Sequence, residues 1–169
     1  MRSSSLRLEL WDGPEFDWPA LTSLLHRAYR PLTERGMRYY ATHQPPDVTQ
    51  RRGLRGECYV AFWNDELAGT ITFEDAATTK GCLFYDRSDT ASFHQFGVEP
   101  RLQTLGIGLA LLARAEQRAR ETGAVWFALD TADTANHLIA WYTRLGFEEV
   151  GEADWEATNY RSLILAKRL

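Results

Sequence analysis

The chain has 169 residues, 44% hydrophobic and 25% charged, the balance of a water-facing globule long enough to bury a core, so a single domain over residues 1–169 is expected. A formal net charge of −4 argues against a nucleic-acid partner, and no apolar run approaches the roughly 20 residues of a membrane span. Cys58 and Cys82, without C-x-x-C spacing, offer neither a metal site nor a disulfide framework, and the leading MRSSSLRLELWDG has no signal-peptide apolar core, so a cytoplasmic protein is expected.

Leu6, Leu8 and Leu10 alternate with Arg7 and Glu9, which predicts a first strand ended by Asp12-Gly13-Pro14. Trp18 to Arg30 reads as a helix with Leu21, Leu24, Leu25 and Ala28 on one face, Pro19 in its first turn and Pro31 closing it. The stretch from Leu32 to Gly56 has no clean period. Pro45-Pro46 breaks it, and Asp47 is placed to cap a short helix ahead of Arg51 and Arg52. Glu57–Trp63 and Leu67–Phe73 are rich in β-formers and predict a hairpin turning at Asn64-Asp65-Glu66. Glu74 to Thr90 is looser, with an apolar patch at Cys82-Leu83-Phe84-Tyr85 that is a candidate for a brief pairing.

The next stretch, FHQFGVEP, is a strand whose aromatic alternation slips. Phe93 and Gln95 would share one face, Phe96 and Val98 the other. A bulge accounts for the slip, and so does a strand buried on both faces. A glycine-bearing loop follows, then a helix whose apolar stripe is Gly108, Leu111, Leu112, Ala115 and Ala119, with Arg114, Gln117, Arg118 and Glu121 opposite and Gly123 as its stop. The helix start carries an unusual signal. First turns attract Asp and Glu, yet no acid stands between Arg101 and Leu109. Gly106 and Gly108 leave backbone bare, and Arg101, Gln103 and Thr104 add donors, which fits a cradle for a phosphate-like anion. A turn that simply needs glycines explains the same letters.

Val125–Leu129 is a short apolar strand ended by Asp130. After a loop to Asn136, a helix from about His137 to Leu145 aligns Leu138, Ile139, Tyr142 and Leu145, and Gly146 ends it. Phe147–Val150 and Tyr160–Leu165 read as the last strands. Strand, helix, strand, helix in this order implies a right-handed parallel crossover.

Val98-Glu99-Pro100 followed by Gln103-Thr104-Leu105-Gly106-Ile107-Gly108 resembles the acetyl-CoA signature of the GNAT superfamily of N-acetyltransferases, V-x-P and then R/Q-x-x-G-x-G/A. Downstream, Trp141-Tyr142-Thr143-Arg144-Leu145-Gly146-Phe147 looks like the superfamily's Y-x-x-x-G-F motif, in the right order and at a suitable distance. The resemblance implies an α/β (α+β) fold. Its central sheet would be mixed and mostly antiparallel, with helices on both faces and a splayed parallel strand pair at the centre. It implies acetyl-CoA as co-substrate, with no metal, and transfer of the acetyl group to a primary amine by direct attack in a ternary complex.

The resemblance also assigns roles. Backbone at Phe96, Gly97 and Val98 would hold the acetyl oxygen and pantetheine. Gln103, Thr104, Leu105, Gly106, Ile107, Gly108 and Leu109 would hold the pyrophosphate. Tyr142 falls on the general-acid position, since a phenol is protonated at neutral pH and can donate to a leaving thiolate. By helix pattern alone it is a core tyrosine. Some members carry a carboxylate where Asp130 stands, as general base; a turn-forming Asp is the plainer reading. His94 is the runner-up base, or a hydrogen-bonded core histidine. The family's Asn seven residues before the tyrosine is Ala135 here, so Asn136 is a cofactor contact only if the loop shifts by one. Tyr39, Tyr40, His43 and Gln44 fall where the family shapes its acceptor pocket, or else pack under a loop.

A non-catalytic acyl-CoA sensor of the same fold is the alternative. A dinucleotide oxidoreductase lacks support, because the loop gives only G-x-G. A net acidic chain with an aromatic-rich N-terminal segment leans toward a small cationic amine as acceptor, while an amino acid or a peptide stays open, as does the choice of monomer or homodimer.

Overall fold

The fold is a computed structural model that describes residues 5–169; the reading of the leader bears in part on Met1–Ser4, which lie outside the described residues. The elements are β1 (Leu6–Trp11), α1 (Trp18–Glu34), α2 (Pro46–Arg55), β2 (Glu57–Trp63), β3 (Glu66–Glu74), β4 (Thr90–Val98), α3 (Ile107–Glu121), β5 (Trp126–Ala132), α4 (Asn136–Arg144), β6 (Glu148–Asp154) and β7 (Arg161–Arg168). The strands form one sheet in the order β1-β2-β3-β4-β5-β7-β6. Every neighbouring pair is antiparallel except β4 and β5. Among the described residues no helix is long and apolar enough to cross a membrane.

Alternation along β2 shows how the helices are divided. Tyr59 and Ala61 pack with Leu111, Leu112, Ala115 and Ala119 of α3, whereas Cys58 and Val60 pack with Trp18 and Leu21 of α1. Successive strand side chains point to opposite faces, so α1 and α3 cover opposite sides of the sheet. Tyr142 and Phe147 join the α3 side.

Two irregularities open the middle of the sheet. On β4, Thr72 pairs with His94 but Thr70 pairs with Gly97, so Gln95 and Phe96 together oppose Ile71. Gln95 takes a positive φ of 47°. The slip in the aromatic pattern is therefore a bulge, and it corrects the expected faces. Phe93, Phe96 and Val98 all belong to the α3 side, and Gln95 turns instead toward Gln44, Thr49 and Thr72. Then β4 and β5 part: only Thr90–Ser92 pairs with Trp126–Ala128, although both strands run on.

Several boundaries differ from expectation. Pro31 lies inside α1; Leu32 beyond it is buried with Met37, Tyr39, Ala132 and Ala135, and that burial outweighs the lost helical hydrogen bond. Asp47 does not cap α2. Pro45 holds that position, and Asp47 sits in the first turn, 3.6 Å from Arg51. The hairpin turn is Asn64-Asp65 alone, both at positive φ as a two-residue primed turn requires, and Glu66 is already paired. Cys82–Tyr85 forms no strand; it turns through a bond from the Asp86 amide to the Cys82 carbonyl. Pro100–Leu105 is a 3₁₀ turn rather than a loop. β5 continues through Asp130 to Ala132, because β7 pairs with it along its whole length.

Candidate active site

Where β4 and β5 separate, a cavity of about 710 Å³ opens, lined from both faces of the sheet. It brings together Phe96, Gly97, Val98, Gln103, Gly108, Tyr142, Asp130 and His94, which the sequence spreads between positions 94 and 142. On one wall, the Phe96 ring meets Phe93 edge to face at 5.7 Å and lies 6.1 Å from Trp141. Its carbonyl accepts the Tyr29 hydroxyl at 2.9 Å, and Gln103 Nε2 donates to the Val98 carbonyl at 3.4 Å. Glu99, just after β4, is clamped by Arg27 of α1 through Nε at 3.0 Å and an η nitrogen at 2.7 Å. These bonds fix the bulged end of β4 against α1.

The first turn of α3 adjoins this wall. No side chain caps it and no acid stands in it. Gly106, at φ +80°, supplies the left-handed residue that joins the 3₁₀ turn to the helix. Leu105 and Leu109 are 44% and 50% exposed, apolar surface left open beside unpaired amides. Such a rim suits an anion that also carries an apolar body. Ile107 is fully buried, so only its backbone is available there. Thr104, Leu105, Gly106, Ile107 and Leu109 are off the cavity wall proper, and so is Asn136, exposed at the first residue of α4.

Tyr142 packs its ring against Trp141 at 5.0 Å, Phe147 at 5.6 Å and Phe93 at 6.1 Å. Burial pushes its hydroxyl well above the ordinary phenol range, with no hydrogen bond to offset it. It therefore stays protonated and free to donate into the cavity.

Asp130 accepts the Tyr85 hydroxyl at 3.0 Å on one oxygen and Trp155 Nε1 at 3.1 Å on the other. Burial raises its carboxyl above the usual range, while these bonds and the Arg52 charge pull it back. His94 Nε2 donates to Glu74 Oε1 at 2.9 Å, and Arg55 holds the same oxygen. Burial lowers the imidazole to about 4, so the ring is neutral, and its buried Nδ1 has no hydrogen-bond partner among the described residues.

Tyr39 and Tyr40 line the cavity, whereas His43 stacks behind Tyr40 at 6.0 Å and Gln44 is buried beneath it. Tyr29, Arg52, Glu74, Tyr85 and Trp155 were not singled out from the sequence. Trp155 alone carried a signal there, a lone tryptophan in the polar run EADWEATN.

A model of the acetyltransferase (GNAT) family matches residues 18–147. The chain is 31% identical to the S-(2-succino)cysteine N-acetyltransferase of Bacillus subtilis over 83% of its own length and 84% of that protein's. It is also 31% identical to the uncharacterized N-acetyltransferase YvbK of the same organism, over 60% of this chain and 59% of that one. Among solved structures, a Bacillus subtilis acetyltransferase in complex with CoA superposes with a TM-score of 0.67 at 23% identity, covering 98% of this chain and 99% of the other.

Proposed function

The chain belongs to the acetyltransferase (GNAT) family, and from that premise we propose that it transfers an acetyl group from acetyl-CoA to the primary amine of an acceptor by direct attack in a ternary complex, as a single domain. One observation carries the reading: the uncapped, acid-free start of α3 lies beside the splayed β4–β5 gap, and the same cavity holds a free, protonated Tyr142 hydroxyl. Acetyl-CoA supplies the activated acyl group and a thiolate leaving group.

The chain's residues divide the remaining work. The backbone from Thr104 to Leu109, with the Gln103 side chain, takes the pyrophosphate. The edge of β4 at Phe96, Gly97 and Val98, freed from β5, offers backbone groups to the pantetheine and the acetyl oxygen. The amine must be neutral to attack. Asp130, whose buried carboxyl is more basic than a surface one, accepts its proton. His94 is already neutral at its low pKa, and its Nδ1 is the second acceptor in the cavity. Tyr142 donates to the sulfur as negative charge develops there. Asn136 makes a cofactor contact only with the outer part of the ligand, since it is exposed at the α4 start.

A screen for thiol release from acetyl-CoA over amines, amino acids and peptides tests the reading, run on wild type and Asp130→Asn across pH. The variant is expected to keep its coenzyme A affinity and lose about 10²- to 10⁴-fold in turnover near neutral pH. Superimposable pH–rate curves would show Asp130 to be structural. Bound acetyl-CoA with no thiol release from any acceptor would point to a sensor.

A further inference from the structure

The acceptor side of the cavity holds a charge that the transfer chemistry does not use. Arg51, Arg52, Arg55 and Lys80 all reach its lining. Arg51 pairs with Asp47 at 3.6 Å and Arg55 with Glu74 at 2.6 Å, while the Lys80 amine bonds the Ala76 carbonyl at the surface. Among the described residues, Arg52 has no carboxylate within ion-pairing distance. Its protein partners are neutral. One η nitrogen donates to Gln44 Oε1 at 2.6 Å, and the guanidinium lies 4.9 Å from the centre of the Tyr40 ring.

The support under Arg52 is rigid. Gln44 is 1% exposed and its amide nitrogen donates to Thr49 Oγ1 at 2.8 Å and Gln95 Oε1 at 2.6 Å. A guanidinium has five N–H donors in a planar fork. Here one η nitrogen is tied to Gln44 and one face to Tyr40, the other N–H groups have no hydrogen-bond partner among the described residues, and the side chain lines the cavity. Burial pulls the Arg52 pKa down, and the more distant charges of Asp130 and Glu74 only partly oppose it. The cavity's own carboxylates already carry donors: Glu74 from Arg55 and His94, Asp130 from Tyr85 and Trp155.

We infer that the acceptor carries a carboxylate, bound by the open edge of Arg52 while the acceptor's amine faces Asp130, so that the substrate class is amino acids rather than polyamines. The inference rests on the acyltransferase reading of the cavity. It reverses the lean drawn from net charge, because the charge of the whole surface is screened within about 10 Å, whereas a half-buried guanidinium lining the pocket is screened much less. Planar bidentate recognition of a carboxylate is what an arginine fork does best.

The test is calorimetry on the protein saturated with coenzyme A, titrated with N-acetylmethionine, N-acetylphenylalanine and N-acetylglutamate and with the α-carboxamide of each. The acids are expected to bind about 10- to 100-fold more tightly than the amides. Arg52→Gln should erase that difference and leave coenzyme A affinity unchanged. Equal binding of acids and amides by wild type, binding of none of the acids, or a preference that survives in Arg52→Gln overturns the inference. So does a joint loss of coenzyme A affinity, which would place Arg52 on the cofactor. The wild-type comparison decides the matter even if the variant does not fold. Acid preference without thiol release from acetyl-CoA and the free amino acids would leave the carboxylate site standing and remove the transferase reading. Thiol release fastest with amides or diamines would do the opposite.

Discussion

Three tyrosines near the cavity show why a hydroxyl's partner matters more than its burial. The Tyr39 hydroxyl bonds Thr131 Oγ1 at 2.8 Å and accepts the Ala132 amide at 2.9 Å, so it ties the 3₁₀ turn at Tyr40–Thr42 to β5. Tyr29 is spent on the Phe96 carbonyl. Tyr142, only 6% exposed, has no such bond among the described residues. A buried tyrosine normally finds a partner, and one that does not is a candidate to meet a ligand. Tyr142→Phe keeps the ring and its contacts with Phe93, Trp141 and Phe147. Its stability is expected to change by no more than about 1 kcal/mol, because no protein hydrogen bond is lost. Turnover should fall by about 10²- to 10⁴-fold. Turnover and melting temperature are measured on one preparation. A turnover within about threefold of wild type, with chemistry limiting, would leave Tyr142 as a core residue.

The start of α3 separates binding from folding more sharply than any other element. A Cβ on Gly108 would lie 3.5 Å from Val98 Cγ2 and 3.6 Å from Phe96 Cζ, ordinary contacts that the helix can absorb. A glutamate in a first turn also suits the helix dipole. Gly108→Glu is therefore expected to fold at least as well as wild type while calorimetry detects no coenzyme A binding; unchanged affinity in the folded variant would reject the cradle. This element was legible from letters, because its message is local: glycines, missing acids, an apolar stripe. The hairpin was legible for the same reason. What the letters hid was set by partners distant in sequence. The bulge was one of two readings until β3 supplied the register that places Gln95 opposite to its expected face. Pro31 looked like a stop because the burial of Leu32 is tertiary. Asp130 looked like a strand end because β7, its antiparallel partner, comes some 30 residues later. Arg52 looked like one of several arginines in a short helix, and only the pairing of Arg51 and Arg55 singles it out.

The stability of the folded protein against acid follows from what the opened sheet buries. His94 is neutral inside, at about 4, against an ordinary 6.5, chiefly because burial penalises its charged form. Between these values the unfolded chain binds a proton that the folded one refuses. Stability therefore falls as pH drops from about 6.5 toward about 4, with a limiting slope of about 1.4 kcal/mol per pH unit for one proton. Glu74, held below its usual range by His94 and Arg55 despite a larger opposing effect of burial, adds a loss of the same sign at lower pH. Asp130 works the other way: its raised carboxyl is costly when ionised, and that cost is relieved as pH falls. His94→Gln isolates the histidine, since Glu74 and Asp130 titrate in both proteins and Gln can still donate an N–H toward Glu74. Urea unfolding at pH 7, 6 and 5 should show a wild-type curve that declines more steeply than the variant's. The difference between them should shift by about 1–2 kcal/mol over that span, in favour of the variant at the acid end. Parallel curves would mean that His94 titrates in the folded state as it does in the unfolded chain, and burial would then impose no penalty on its charged form.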